Sequence, residues 1–410
     1  MRLKEICDYI SRGTTPVYVD ESPYKVMNQA TFSKGWLDES NMRYTSKNAR
    51  EAQIKKGDLL MASTGGGVLG KVFFFDSDDT SFYADSHVSI LRNSKGKNLM
   101  KYLYYVFSIK YDEINATMVK GSTNQTELQR NYLLAYEMDI PSLSKQQRIV
   151  DYLDARLGKI DARIAVLEKE QDAYARLKKS VIHHAVTRGL DPNVSLKDSG
   201  VEWIGMIPEH WETKRIKDVV SDIFTGVSPV YEYDNDNQNY VFGQRNNQEY
   251  GIDFEGIKYA KDDFFKTRLP KEFLKYGDVL LNTLGGGSVG RTGYYDIEDN
   301  ISVITDGHVM IVRSKTYNTR YMYYYLCSRK ERLEMMAIGS TNQAFFNISD
   351  IRIVSLPMPS LGEQQTIASY LDDKCARIDA TTENIGKQID ALKRLKRALI
   401  NEVVTGQRAV

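Results

Sequence analysis

Apolar residues recur with heptad spacing in two stretches of the chain, and this spacing predicts two long helices. The apolar steps are 4, 3, 4, 3, 7 and 7 in the first stretch and 4, 3, 4, 3, 4, 3 and 7 in the second. A heptad seam requires a partner, so we expect the two helices to pack against each other. Gly189 and Gly406 follow as C-terminal stops. The seam residues are Leu153, Leu157, Ile160, Ile164, Leu167, Tyr174 and Val181, then Leu371, Cys375, Ile378, Thr382, Ile385, Ile389, Leu392 and Leu399.

The second seam repeats the first 218 residues later, and the repeat extends over most of the chain. The stretch PSLSKQQRIVDYLD (Pro141–Asp154) matches PSLGEQQTIASYLD (Pro359–Asp372), and GSTNQ occurs at Gly121–Gln125 and again at Gly339–Gln343. The glycine-rich stretch KGDLLMASTGGGVLGK matches YGDVLLNTLGGGSVGR at an offset of 220. Such a period indicates two copies of one unit of ~200 residues rather than a solenoid.

Each unit begins with short apolar and aromatic runs that predict strands, such as LLMAS, KVFFF and HVSIL in the first copy. One helix is predicted over Tyr102–Ala116, and its counterpart over Tyr321–Met336. The predicted fold class is α+β: two duplicated mixed α/β domains joined by two long antiparallel coiled-coil helices, with pseudo-two-fold symmetry. The predicted boundaries are 1–144 for domain one, 145–189 for helix one, 190–213 for an ordered connector, 214–362 for domain two and 363–410 for helix two.

The charge and the composition of the chain say more about its cellular compartment than about its function. The net charge is +1, with a basic segment of net +4 at 145–189 followed by an acidic one of net −4 at 190–213. No window approaches the ~18 apolar residues of a membrane span, and the three cysteines have no metal-ligand or disulfide pattern. We therefore expect a cytoplasmic protein without a membrane association.

The motifs that could carry catalysis are incomplete. Gly65–Gly70 and Gly285–Gly290 satisfy G-x-G-x-x-G, but predicted strands follow them where a phosphate site needs a helix N-terminus. A tight turn is the favoured interpretation. Asp85 with His87, and Asp306 with His308 in the other copy, lack a nucleophile at fixed spacing, which favours a structural histidine bonded to its aspartate. The chain is predicted to be non-catalytic, without a metal or cofactor of its own.

Polar loops at equivalent places in the two copies suggest contacts with duplex DNA. Met27–Trp36 and Phe242–Gly251 carry amide and guanidinium side chains that can pair with base edges, and the GSTNQ loops suit phosphate and groove contacts. A duplicated reader separated by long helices suits a long target with two half-sites. The candidate DNA-binding residues are Gln29, Lys34, Gly66, Lys120, Ser122, Thr123, Asn124, Gln125, Gln244, Arg245, Asn246, Asn247, Gly286, Ser340, Thr341, Asn342 and Gln343.

The chain resembles the specificity subunit of type I restriction–modification systems. The stretches that carry the resemblance are DSGVEWIGMIPEHWETKRIKDV (Asp198–Val219), IPSLSKQQRIVDYLDARLGKID (Ile140–Asp161) and MPSLGEQQTIASYLDDKCARID (Met358–Asp379), in the same order relative to the GSTNQ loops in both copies. The resemblance covers nearly all of the chain. It implies two target recognition domains joined by two long antiparallel helices, which read a bipartite DNA sequence, one half per domain.

The resemblance also implies partners. These are two copies of an adenine-N6 methyltransferase subunit, which binds S-adenosylmethionine, and translocating restriction subunits. The helices and the Trp203–Trp211 stretch would contact the methyltransferase subunits. One departure is that the first copy starts at Met1 with RLKEI and lacks an IPEHWE lead-in. The candidate partner-binding residues are Trp203, Pro208, Trp211, Gln146 and Gln364.

Two other functional classes stay open at this point. A two-headed coiled-coil adaptor that binds proteins is favoured by the near-zero net charge. A nucleotide-dependent enzyme built on the glycine loops predicts bound ATP or GTP. The copies diverge between Pro16–Arg50 and Pro229–Asp263, so the DNA reading predicts two different half-sites and an asymmetric target.

Overall fold

The computed structural model describes residues 1–46, 50–94, 96, 99–120, 126–232, 239–298, 301–339 and 344–410, with the backbone alone for Val119 and Lys120. The chain divides into two compact units. The first unit comprises 1–168 and 386–410, and the second comprises 169–385. Each unit therefore contains one globular domain and a portion of each long helix.

The two long helices are Leu143–Arg188 and Leu361–Val404. Each begins two residues before the predicted boundary. In the first unit, Leu153 and Leu157 of the first helix share a core with Leu399 and Val403 of the second. Since the start of one helix packs on the end of the other, their packing in this unit is antiparallel.

The second unit shows the same antiparallel arrangement with the roles of the helices exchanged. Ile182 and Val186, near the end of the first helix, share a core with Ile367 and Leu371, near the start of the second. The predicted pairing of the two helices is therefore confirmed within each unit.

Each domain is built from an antiparallel sheet and a mixed sheet with the same strand order in both units. In the first unit the antiparallel sheet has the order Tyr9–Arg12, Val88–Arg92, Leu59–Ala62 and Val72–Phe74. The mixed sheet has the order Tyr18–Val19, Arg43–Thr45, Lys25–Met27 and Phe82–Ala84, the last two strands being parallel.

In the second unit the antiparallel sheet has the order Asp222–Thr225, Val309–Arg313, Val279–Asn282 and Thr292–Tyr294. The mixed sheet has the order Tyr231–Glu232, Lys258–Ala260, Tyr240–Phe242 and Val303–Thr305. Four further pairs are Val119–Lys120 with Glu127–Leu128, Leu196–Asp198 with Met206–Pro208, Glu212–Arg215 with Ser355–Met358, and Asn247–Gln248 with Gly251–Ile252.

The antiparallel sheet is buried on both faces, which explains why its central strand LLMA is a continuous apolar run. Leu59 and Met61 face a core shared with the long helices and with Leu103. Leu60 and Ala62, which point to the opposite face, pack with residues of the mixed sheet. The sheet thus joins the helical part of the unit to the part that carries the polar loops.

The helix predicted over Tyr102–Ala116 is two helices, Met100–Ser108 and Tyr111–Thr117. Its counterpart is likewise divided into Thr319–Cys327 and Lys330–Met336. The Ser108 hydroxyl donates to the Tyr105 carbonyl oxygen at 2.8 Å, and a serine at the equivalent break does the same. Such a side-chain bond competes with the helical ladder, and this explains the break. The other short helices are Leu3–Ile6, Arg130–Ala135, Asp262–Lys266 and Ile348–Arg352.

The connector is ordered, as predicted, but it is more than a loop. Leu196–Asp198 and Met206–Pro208 pair in an antiparallel register, and Glu212–Arg215 then pairs with Ser355–Met358. In the first unit the place of this last pair is taken by a single bridge between Arg2 and Glu137. The two units therefore differ in the length of this pairing.

Each long helix has a lysine at one position of the heptad seam. In the sequence pattern this position was skipped, because the apolar residues on either side of it are seven residues apart. The Lys178 ammonium contacts both carboxylate oxygens of Asp379 at 2.7 Å and lies 4.4 Å from the centre of the Tyr250 ring. The equivalent pair in the first unit, Lys396 with Asp161, has contacts of 2.7 and 2.8 Å. The two pairs are related by the 218-residue offset. Because each acid meets its lysine in one helix register only, the pairs favour that register.

Removing the acid of the more buried pair is expected to destabilise the second unit. The Lys178 side chain is 9% exposed, whereas the Lys396 side chain is 33% exposed. Asp379→Ala leaves a buried ammonium without its anion and should cost about 2 kcal/mol. The matched change Asp161→Ala should cost less than about 1 kcal/mol because its lysine remains hydrated. Hydrogen–deuterium exchange of peptides from each unit measures both effects, and equal losses in the two variants would contradict this assignment.

Candidate nucleic-acid interface

The first polar loop of each domain begins where a strand of the mixed sheet ends. In the first unit the Asn28 side-chain oxygen accepts the N–H groups of Ala30 and Thr31, at 2.8 and 3.2 Å, and so starts a 3-10 turn at Gln29. The side-chain oxygen of Gln29 is buried and has no hydrogen-bond partner among the described residues. An amide acceptor of this kind can still bind a ligand donor.

The equivalent loop of the second unit holds Gln244 more firmly. The Ser288 hydroxyl donates to the Gln244 side-chain oxygen at 3.2 Å, and the Asn282 amide donates to the Gln244 carbonyl oxygen at 3.1 Å. Arg245, the next residue, is exposed. A Cβ on Gly256 would lie 2.9 Å from Nη2 of Arg245, so the guanidinium lies directly over this glycine.

The glycine motif forms a tight turn and not a phosphate cradle. The Leu69 N–H donates to the Gly65 carbonyl at 3.1 Å, and the Gly70 N–H donates to the Ala62 carbonyl at 2.8 Å. Gly65 has a φ of 98°, a left-handed conformation that favours glycine. The strand Val72–Phe74 follows, as predicted, where a phosphate-binding helix would have to start. The candidate residue Gly66, like Gly286 in the equivalent turn, is exposed at the tip.

The Asp–His pairs pin a second tight turn, but in a different way from the one predicted. The carboxylate of Asp85 accepts the backbone N–H of His87 at 2.8 Å, and Asp306 accepts that of His308 at 2.9 Å. The exposed ring of His87 instead shares a 2.8 Å hydrogen bond with the Thr64 hydroxyl. Burial raises the pKa of Asp85 and of Asp306, because each carboxylate is largely removed from water.

The described residues that flank the repeated GSTNQ sequence lie next to the glycine turn. In the first unit Val119–Lys120 pairs with Glu127–Leu128, and this pair forms the base of the segment that contains the repeat. In the second unit Ile338 and Phe345 exchange two backbone hydrogen bonds of 3.0 Å. The Gly285 N–H donates to the Ala344 carbonyl at 3.0 Å, which ties the segment to the glycine turn.

The fold therefore brings four loops together at one end of each domain. These are the loop after the mixed-sheet strand, the glycine turn, the Asp–His turn and the base of the GSTNQ segment. In the first unit a Cβ on Gly65 would lie 3.7 Å from the Gln29 amide nitrogen, and Thr64 pairs with Glu127 in a β-bridge. Separate parts of the sequence thus form one polar surface, which we call the loop surface.

Two predicted base-reading residues belong to the scaffold of the domain. The Asn247 amide, 0% exposed, donates to the Leu280 carbonyl at 3.3 Å and to the Asn282 side chain at 3.0 Å. The Asn246 oxygen accepts the Gly243 N–H at 3.0 Å, and its amide donates to the Asp253 carbonyl at 2.9 Å. Since these groups are already used inside the domain, we reassign both asparagines from base contact to loop support.

Lys34 remains on the surface but has an ionic partner. Its ammonium contacts Asp38 at 2.7 Å. The hydrogen bond from Lys34 is the largest contribution that lowers the pKa of Asp38. Several other candidates lie outside the described residues: the side chain of Lys120, and Ser122, Thr123, Asn124, Gln125, Ser340, Thr341, Asn342 and Gln343.

Four of the five candidate partner-binding side chains are buried within their unit. The Gln146 side chain accepts the Leu99 N–H and donates to the Pro141 carbonyl, both at 2.9 Å. Gln364 makes the equivalent bonds to Asn318 and Pro359, at 2.8 and 2.9 Å. These glutamines join the start of each long helix to its domain. Their side chains are not available for direct contact with a partner in this structure.

The tryptophan lead-in packs mainly on its own unit. Trp211 is 1% exposed, donates to Glu363 at 3.2 Å and lies 3.4 Å from where a Cβ on Gly189 would be. Burial alone would raise the pKa of Glu363, but hydrogen bonds from His210, Trp211 and Ser360 outweigh it and lower the pKa to about 2. Pro208 is also buried, whereas Trp203 is partly exposed. Of the five candidates, Trp203 alone retains an accessible side chain.

Sequence reasoning missed Thr64, His87 and Ser288 as members of the loop surface. In the sequence Thr64 directly precedes the glycine motif, Ser288 lies within it and His87 follows an aspartate by two residues. Only the fold shows that these turns meet. Within the described residues, no cluster of His, Cys, Asp and Glu could hold a metal ion, and no helix is long and apolar enough to cross a membrane.

Comparison with known proteins gives a consistent result. A family model described as the type I restriction modification DNA specificity domain matches residues 1–169 and 208–393. The MjaVIII type I restriction enzyme specificity subunit of Methanocaldococcus jannaschii is 24% identical over 99% of this chain and 92% of its own length. The EcoBI specificity subunit of Escherichia coli is 19% identical over 75% of this chain and 65% of its own length.

The fold is also found among solved structures. A chain from a structure on complex assembly and conformational transition of the type I R-M system matches with a TM-score of 0.70. The match covers 98% of this chain and 96% of the other, at 18% sequence identity. At this identity the likeness supports the fold and says nothing further about individual residues.

Proposed function

Because this chain belongs to the family of type I restriction–modification DNA specificity domains, we propose that it reads the DNA target of such a system with its two loop surfaces, one in each unit. The observation that supports this most directly is the recurrence of the same four loops in both units. The backbone frame is shared, whereas the polar side chains that it presents differ. Two different readers on one frame would recognise two different half-sites.

The proposed contacts follow from the exposure of each side chain. In the second unit Gln244 and Arg245 read base edges, since an arginine can pair bidentately with guanine and a glutamine with adenine. In the first unit Gln29 has the equivalent position, with Lys34 nearby. The glycine turns, which carry no side chain at Gly66 and Gly286, allow the backbone to approach the duplex closely.

The division of labour with partner subunits is also part of this proposal. The chain supplies recognition, and methylation and cleavage belong to methyltransferase and restriction subunits. S-adenosylmethionine is then bound by the methyltransferase partner. Trp203 is the side chain through which the lead-in would contact that partner.

The test is to map N6-methyladenine in a cell that lacks its own adenine methylation. The chain is expressed with the methyltransferase subunit of its own system, and the genome is read by long-read sequencing. We expect a split, asymmetric motif with a fixed gap, which disappears when this chain is omitted. Methylation that does not depend on the chain would instead support the two-headed protein adaptor.

A second measurement separates DNA binding from protein binding directly. If phosphate contacts contribute, the logarithm of the affinity for target DNA falls linearly with the logarithm of the salt concentration. Asn246 and Asn247 support the loop, so a variant designed to change the DNA specificity should replace only the exposed residues of Phe242–Gly251. Such a variant is expected to change one half-site and leave the other as it was.

A further inference from the structure

Two arginines of the second unit are packed against aromatic rings with part of their hydrogen-bonding capacity unused. Arg329 is 8% exposed, and its Nε and Nη2 have no hydrogen-bond partner among the described residues. The Nε of Arg332 is buried and is likewise without a partner in that part of the chain. Burying a guanidinium in this way is unfavourable unless an anion neutralises it.

The two arginines belong to one contiguous cluster. The Arg329 guanidinium lies 5.3 Å from the centre of the Tyr325 ring, and that of Arg332 lies 4.9 Å from the Trp203 ring. The side chain of Tyr325 contacts both Arg329 and Trp203. We call Arg329, Arg332, Tyr325 and Trp203 the arginine site. It includes the lead-in tryptophan that retains an accessible side chain.

Positive charges lie close to the Arg329 guanidinium. The pKa of His183 is lowered, first by burial and then by the charges of Arg329 and Arg188. Glu334, which lies on the same short helix as Arg332, already contacts Lys330 at 3.4 Å. Within the described residues, neither Arg329 nor Arg332 has an acidic side chain within ion-pair distance.

The equivalent place in the first unit contains its own acid. Lys110 and Glu113 stand 219 residues before Arg329 and Arg332, and their side chains form an ion pair of 2.5 Å. The Tyr136 hydroxyl also donates to Glu113, at 2.7 Å. The alignment is fixed by the packing of Ile114 on Gly70, which matches that of Leu333 on Gly290. One unit therefore neutralises its cation internally, whereas the other replaces the acid with a second arginine.

We propose that the arginine site binds a carboxylate group from a protein partner, which takes the place that Glu113 has in the first unit. Arginine presents a planar fork that matches a carboxylate in a bidentate geometry. Arg329 retains 8% of its surface and Arg332 is partly exposed, and a partner carboxylate would approach the two guanidinium groups through this exposed part. The exposed acid Glu202 stands next to Trp203, and its charge would repel the rows of phosphates of a duplex backbone.

This inference rests on the proposed function, in which the partner is the methyltransferase subunit. The test variant is Arg332→Glu, which gives the second unit the charge pattern of the first. The new carboxylate stands three residues after Arg329, as Glu113 stands after Lys110, so the variant is expected to fold with an unchanged or higher Tm. We expect its affinity for the methyltransferase subunit to fall at least ~10-fold. The matched control is Arg352→Glu, the same charge change at an exposed arginine of the same unit, and it should bind like the original chain.

A second measurement probes the site without any partner. In the chain labelled with 15N-arginine, the side-chain Nε–H signals of Arg329 and Arg332 should shift when sodium acetate is added. Sodium chloride at the same ionic strength is the control, and inorganic phosphate is compared separately. In Arg332→Glu the Arg332 signal is absent, and the new carboxylate should pair with Arg329. Acetate should then no longer shift the Arg329 signal.

The outcomes distinguish this inference from the proposed function. Unchanged subunit affinity in Arg332→Glu overturns the carboxylate site, even if the chain still reads DNA. Loss of DNA affinity in the free chain with normal subunit binding also overturns it, because the anion would then be a phosphate. If the original chain binds no methyltransferase subunit, the proposed division of labour fails. The acetate titration then decides the arginine site alone, and the absence of a shift rejects it.

Discussion

Replacing Trp211 by alanine is expected to lower the free energy of unfolding of the second unit by about 3–5 kcal/mol. The indole is 1% exposed and shares a core with Val186 of the first long helix and Ile367 of the second. Its N–H also donates to Glu363. The substitution therefore removes a large packed side chain and leaves the partly exposed Glu363 carboxylate with one bond fewer. Denaturation followed by hydrogen–deuterium exchange of peptides from each unit measures the loss.

The matched control for this prediction is Trp36→Ala. Trp36 is 59% exposed, so its removal should change the free energy of unfolding by less than about 0.5 kcal/mol. The comparison matters because Trp211 was a candidate partner contact. If Trp211→Ala keeps normal stability and still loses the methyltransferase subunit, the residue contacts the partner directly and the packing account is wrong.

Replacing Arg245 by alanine is expected to weaken binding to the target DNA by about 1–3 kcal/mol, the range found for an arginine bidentate to guanine. Arg245 is exposed on the loop surface, and its side chain holds no part of the core. The Tm should stay the same, and discrimination should relax at one half-site only. Titration of labelled duplexes with single-base changes in each half-site measures affinity and specificity together.

The neighbouring substitution Asn247→Ala should have the opposite profile. It removes hydrogen bonds to the Leu280 carbonyl, the Asn282 side chain and the Arg291 carbonyl, the last at 3.1 Å. Leaving those buried groups without a donor costs about 1–3 kcal/mol of stability. Any loss of DNA affinity should then follow the loss of folded protein. A stable Asn247→Ala chain with relaxed base specificity would restore Asn247 as a reader.

These two predictions show why the sequence alone could not separate the loop residues that contact bases from those that support the loop. Gln244, Arg245, Asn246 and Asn247 are consecutive, and all four have side chains that can pair with bases. The 3-10 turn at this place directs Arg245 outward and the two asparagines inward. The difference depends on backbone direction and on the acceptors within reach. Asn247 donates to the carbonyl groups of Leu280 and Arg291, which are 33 and 44 residues away, whereas Asn246 donates to the nearer Asp253 carbonyl.

The repeat gave the architecture without any tertiary information. A 218-residue offset that holds for a heptad seam, a GSTNQ loop and a helix start is consistent only with two copies of one folded unit. The heptad spacing required a partner, and the other copy supplies it within each unit. These features are local or periodic along the chain, so they can be predicted from the amino-acid sequence alone.

Other features depended on groups that meet only in the folded chain. The lysines at seam positions appeared as gaps in the apolar pattern, because their partners Asp161 and Asp379 lie on the other helix. The buried glutamines looked like surface residues, because the backbone groups that they bind belong to a distant helix start. Nothing in the sequence distinguishes Arg329 and Arg332 from other arginines, because burial and the lack of a neighbouring acid among the described residues are properties of packing. The sequence by itself thus determined that there are two units, two paired helices and two sets of loops. Only the tertiary structure decided which polar side chains face outward, since that depends on which distant backbone groups are left for them to bind.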